Sequence, residues 1–145
     1  MQQARAEDLD TVRGTYARLD VAAETAPFFS DLPVRMAAAH LVVSRSGAST
    51  VAELSAIGRP AILVPLPHAL DQDQFANAGV LEEAGGAIRI VQKDFTPERL
   101  AADIARLASH PGQLASMAKA AKAAGTIDAA ERLADVVIKV AGVSL

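Results

Sequence analysis

Cysteine and tryptophan are absent from this 145-residue chain. The lack of cysteine excludes a disulfide scaffold, a thiolate zinc site and a cysteine nucleophile, and it suits a reducing, cytoplasmic setting. Aromatic residues make up only 3% of the chain, with a single Tyr. That is too few to build the stacking platform of a single-strand nucleic-acid binder. A basic surplus is missing too: 14 Lys and Arg against 17 Asp and Glu leave a net charge of −3. No nucleic-acid partner is expected from such a balance. No run approaches the roughly 18 apolar residues of a spanning helix. Residues Met1 to Asp8 lack the apolar core of a secretory signal.

The chain does have a 51% hydrophobic composition, which supports a buried core of about one domain. A helical rhythm runs from about Glu7 to Leu19, and Ala22 to Ala26 reads as a weak strand stopped by Pro27. Ser30-Asp31 precedes a helix through Ala39 with Pro33 in its first turn. Three further apolar runs, His40–Ser44, Ala61–Pro65 and Ala87–Val91, read as buried strands. Helical patterns separate them, one ending at Gly58 and another at Gly85-Gly86. Three helices follow, beginning near Pro97, Pro111 and Ile127, with Ile104, Leu107, Leu114, Leu133, Val137 and Val140 in apolar rhythm. Their alanines permit close helix packing. Short apolar strands alternating with helices predict an α/β fold, a doubly wound parallel sheet. The chain opens on a charged helical pattern with no strand ahead of it, so an incomplete sheet is expected, with Ala22–Ala26 short of a neighbour.

Ligands of open α/β sheets bind at the carboxyl ends of the strands. Two loops stand there. The first, Ser44 to Glu53, places Ser46, Gly47, Ser49 and Thr50 ahead of a helix, where free backbone N–H groups and the helix dipole suit a phosphate or diphosphate. Thr50 and Glu53 also have the spacing of a capping box, so an ordinary helix start fits the same residues. The loop has no G-x-G-x-x-G and no Walker lysine, which withdraws support from nicotinamide and P-loop chemistry. The second loop, Pro65 to Ala78, carries His68 and the polar run Asp71-Gln72-Asp73-Gln74 at a helix start. Asp and Gln can hold adjacent sugar hydroxyls with paired acceptors and donors, and a solvated helix start fits them equally. No Ser/His/Asp order and no metal-ligand cluster is visible, so no metal or other cofactor is expected.

Taken in order, Ser46-Gly47, Thr50, Glu53, Gly58-Arg59-Pro60, Pro65, Asp73-Gln74 and Asn77-Ala78 resemble the donor-binding half of two-domain (GT-B) glycosyltransferases. Arg45 to Ala48, Val64-Pro65, His68 and Asp128 to Arg132 are most similar to family 28, the N-acetylglucosaminyltransferases of bacterial peptidoglycan synthesis. The resemblance covers essentially the whole chain. It implies a Rossmann-like domain for UDP-N-acetylglucosamine, with Phe29 at the uracil edge and Ser46, Gly47, Ala48, Ser49 and Thr50 along the nucleotide and its phosphates. Glu53 would take the ribose hydroxyls, and Gln74, with Asp73 and Asn77, would hold the sugar. It further implies transfer to a lipid-linked muramoyl pentapeptide, with UDP leaving, by an enzyme peripheral on the cytoplasmic face of the inner membrane. The acceptor-binding N-terminal domain and the first donor-domain strands find no counterpart here. A donor domain that carries no catalytic residue and is inactive alone is therefore expected. Another GT-B transferase, a UDP-sugar epimerase and a non-catalytic binding stub remain alternatives.

Overall fold

The alternation of apolar runs and helical patterns is realised as five strands and seven α-helices in the computed structural model, which describes residues 1–67 and 72–142. The chain forms two units, Met1–Arg35 and Met36–Leu145.

In the first unit β1 (Gln2–Gln3) pairs in parallel with β2 (Thr25–Ala26), Gln2 opposite Thr25 and Gln3 opposite Ala26. A 3₁₀ turn, Ala6–Asp8, and α1 (Leu9–Arg18) form the connection. A strand thus does precede the first helix, and the Ala22–Ala26 segment has a partner. Both points correct the sequence expectation. Two glutamines offer no apolar run to read. Their strand is made by the backbone, through Gln2 N–H to the Glu24 carbonyl at 2.8 Å and Ala4 N–H to the Ala26 carbonyl at 3.1 Å. The Tyr16 hydroxyl anchors β1 by donating to Gln2 Oε1 at 2.7 Å. Further along, Phe29 is buried while Phe28 is exposed. The Arg35 guanidinium lies 4.5 Å over the Phe29 ring and pairs with Glu24 at 2.5 Å and Asp31 at 2.6 Å. The hydrogen bond from Arg35 holds the Asp31 carboxyl below its ordinary range. α2 (Leu32–Ala38), with Pro33 in its first turn, begins in this unit and continues into the second, where Met36 is buried.

The second unit contains the sheet expected from the three apolar runs: β3 (Val42–Ser44), β4 (Ala61–Leu63) and β5 (Ala87–Arg89), all parallel, in that order. Val42, Ala61 and Ala87 share one register line, and Ser44, Leu63 and Arg89 another. Ala61, Ile62 and Leu63 are all fully buried. Because successive strand residues face opposite ways, β4 is covered on both faces. α3 (Ala48–Ile57) links β3 to β4, and α4 (Asp73–Glu83) links β4 to β5. α3 stops at Gly58, whose φ of 77° is the left-handed turn that an L side chain resists.

Past β5 come α5 (Pro97–Ala108), α6 (Pro111–Ala124) and α7 (Ala129–Ala141). The Thr96 hydroxyl caps α5 by accepting from Arg99 N–H at 3.2 Å, with Pro97 in the first turn. α6 passes so close to Gly86 that a Cβ there would stand 2.7 Å from Ala121 Cα, and Ala121 itself is fully buried. Alanine at that crossing is what lets the helix reach the sheet edge. The apolar rhythm of the tail is used unevenly: Leu107 is buried, Leu114 half-buried, and Leu133, Val137 and Val140 on α7 are exposed. Among the described residues no helix is long and apolar enough to cross a membrane.

Candidate functional site

Both loops singled out from the sequence leave the same carboxyl edge of the β3-β4-β5 sheet. The first runs from Ser44 into α3. Gly47 occupies the N-cap position in an extended conformation, with φ −60° and ψ 151°, and no side chain caps the helix. The first intrahelical bond there is Val51 N–H to the Gly47 carbonyl at 3.0 Å. Ala48, Ser49 and Thr50 are therefore the first-turn residues, whose N–H groups have no partner within the helix. The first turn carries no acidic residue, so the positive end of the helix dipole is not neutralised there. This geometry corrects the capping-box alternative: Thr50 sits inside the helix rather than at its cap. Glu53 follows Thr50 by three residues, on the same face, and is half-buried.

The second loop leaves β4. Asp73 is the first residue of α4 and is exposed, while Gln74 beside it and Asn77 one turn on are half-buried. His68 and Asp71 lie outside the described residues. The N-cap of α4 is Gln72, with a φ of 55° and no side-chain cap. Support for this helix start comes from other loops instead. The Ser46 hydroxyl donates to the Gln74 carbonyl at 2.7 Å, and Asn77 Nδ2 donates back to the Ser46 carbonyl at 3.3 Å. Leu66 N–H donates to Gln74 Oε1 at 3.0 Å. Arg89 donates to the Phe75 carbonyl at 3.1 Å, lies 3.9 Å over the Phe75 ring and pairs with Glu82 at 2.5 Å. Arg45 spans from the first loop to the carbonyls of Val64 and Pro65, at 3.2 and 3.3 Å.

Of the residues marked from the sequence, Ser46, Gly47, Ala48, Ser49, Thr50, Glu53, Asp73, Gln74 and Asn77 gather at this edge. Ser46 differs from its neighbours in being fully buried. Phe29 belongs to the first unit, where its ring lies under Arg35. The sequence did not mark the ties made by the Leu66 amide and Arg89, since backbone donors and long-range guanidinium contacts leave no pattern in the chain. It also did not mark a cleft of about 570 Å³ at the exits of β4 and β5, lined by Pro65, Leu66, Pro67, Gln72, Phe75, Val91, Gln92 and Lys93. Among the described residues no group of three or more His, Cys, Asp or Glu gathers as a metal site.

Residues 1–133 match the glycosyltransferase family 28 C-terminal domain. Over 144 residues the chain is 67% identical to the UDP-N-acetylglucosamine--N-acetylmuramyl-(pentapeptide) pyrophosphoryl-undecaprenol N-acetylglucosamine transferase of Rhodopseudomonas palustris strain BisB18, covering 99% of the chain and 38% of that protein. The transferase of the same name from Nitrobacter hamburgensis is 67% identical over 140 residues, 97% of the chain and 38% of that protein. The chain thus spans little more than a third of the length of these curated relatives. Its fold matches the crystal structure of Acinetobacter baumannii MurG with a TM-score of 0.87 at 30% identity, covering 94% of this chain and 42% of that one.

Proposed function

The chain belongs to glycosyltransferase family 28, whose C-terminal domain residues 1–133 match, and we propose that it is the donor-binding part of an N-acetylglucosaminyltransferase that takes UDP-N-acetylglucosamine. The observation that carries the reading is the pairing, at one sheet edge, of an uncapped helix N-terminus with a glutamine held in place by the neighbouring loop. A nucleotide diphosphate fits the first feature and a sugar the second.

On this reading the diphosphate lies at the amides of Ala48, Ser49 and Thr50, where the dipole of α3 favours negative charge. The same field stabilises the charge that develops on UDP as the bond to the anomeric carbon breaks. Glu53, one turn on, accepts from the vicinal ribose hydroxyls with its two carboxylate oxygens. Gln74 and Asp73 face the sugar. Attack by a hydroxyl of a lipid-linked muramoyl pentapeptide inverts the anomeric centre and releases UDP. The acceptor places this chemistry at the cytoplasmic surface of a membrane. Names borne by the relatives support both the donor and the acceptor.

Isothermal titration of the purified chain with UDP, UDP-N-acetylglucosamine and UDP-glucose tests the proposal. Tighter binding of UDP-N-acetylglucosamine than of UDP-glucose is expected. Equal affinity for the two sugars would refute the assignment of donor, and heat from none of the three would refute the donor site.

A further inference from the structure

We infer that Ser46 is a positioning residue that ties the start of α4 to the start of α3 and so sets the sugar-dependent part of donor affinity; this rests on the donor-site reading above. Ser46 is fully buried, so its hydroxyl is closed to any ligand. It stands one residue before the N-cap of α3, outside the position from which a serine caps the first-turn amides. Here the hydroxyl instead crosses 28 positions of sequence to the Gln74 carbonyl, at 2.7 Å, and Asn77 returns a bond to the Ser46 carbonyl.

The consequence falls on the Gln74 side chain. Its Oε1 already accepts from Leu66 N–H. That fixes which end of the amide accepts and leaves the two Nε2 hydrogens as the donors it can offer to an oxygen acceptor such as a sugar hydroxyl. A two-loop grip of this kind holds only while the α4 start stays in place. α4 has no side-chain cap of its own, and Gln72 ahead of it is in the left-handed region. The Ser46 hydroxyl therefore supplies a restraint that the helix lacks internally.

Ser46→Ala tests the inference, with Ser55→Ala as control. Ser55 is also buried, but its hydroxyl bonds to the carbonyls of Val51 and Ala52 within its own helix. In Ser46→Ala the ratio of UDP-N-acetylglucosamine affinity to UDP affinity should fall roughly fivefold to tenfold, the scale of one hydrogen bond, while UDP affinity changes less than about twofold. Hydrogen exchange gives a readout that needs no ligand. The Leu66 amide should exchange roughly tenfold faster in Ser46→Ala, with the Val64 amide, bonded to Ser44, unchanged. Ser55→Ala should move neither quantity. Wild-type chain that binds both ligands, with the ratio and Leu66 exchange unaltered in Ser46→Ala, would overturn this inference alone. Wild-type chain that binds neither ligand would overturn the donor-site reading and this inference together.

Discussion

Glu53 stands on α3 one turn past Thr50, inside a helix whose cap is Gly47. Removing its carboxylate therefore takes away no cap. A capping side chain contributes about 0.5–2 kcal/mol to stability, whereas Glu53→Ala should change stability by less than about 0.5 kcal/mol. Uridine diphosphate affinity should drop roughly tenfold, because two ribose hydroxyls lose their acceptor. Paired denaturation and titration measurements check this, and lost stability with unchanged UDP affinity would contradict it. Gln74→Ala should bring UDP-N-acetylglucosamine affinity down toward that of UDP and leave UDP itself within about twofold. Equal loss for both ligands would place Gln74 against the nucleotide. Most residues of the candidate site were legible in the sequence, since Gly47, Thr50, Glu53 and Gln74 stand at fixed offsets in two loops. The part played by Ser46 was not. A buried hydroxyl that bonds a carbonyl 28 residues away looks, in sequence, the same as one that caps its own helix.

Elements are set by a few close contacts, and two can be tested directly. Gly86 faces the backbone of α6, which cannot yield as the tip of a side chain can. Gly86→Ala should cost about 1–3 kcal/mol or more through overpacking. A urea midpoint within error of wild type would mean that α6 does not run as close as described. On α5, Asp103 is buried and receives Arg99 at 2.6 Å and Arg106 at 3.1 Å. The hydrogen bond from Arg99 is the leading cause that holds this carboxyl below its ordinary range. A depressed folded pKa contributes stability above the unfolded value of about 4, and that stability is lost as pH falls through the folded value. Asp103→Asn should therefore be less stable than wild type at pH 7, with the gap closing as pH drops below about 4. A gap constant with pH would show the contribution to be packing alone. The three sheet strands were legible as apolar runs, each longer in sequence than its ladder. β1 was not, because two polar residues paired only through their backbone carry no hydrophobic signature.

For the molecule as a whole, composition and alternation sufficed to indicate a parallel α/β fold, and the loop motifs sufficed to indicate family 28. The same rhythm that formed α7 did not foretell its exposure, since periodicity marks an apolar face without saying what covers it. On the proposed function, one edge of the sheet binds a uridine diphosphate sugar across both loops. Titrating isotopically labelled chain with UDP-N-acetylglucosamine, and following backbone amide shifts, tests it most directly. The largest shifts are expected at Ala48, Ser49 and Thr50 together with Gln74 and Leu66, with UDP alone reproducing only the first group. Shifts centred on Gln92 and Lys93 in the cleft beyond β5, with the α3 amides unmoved, would contradict it.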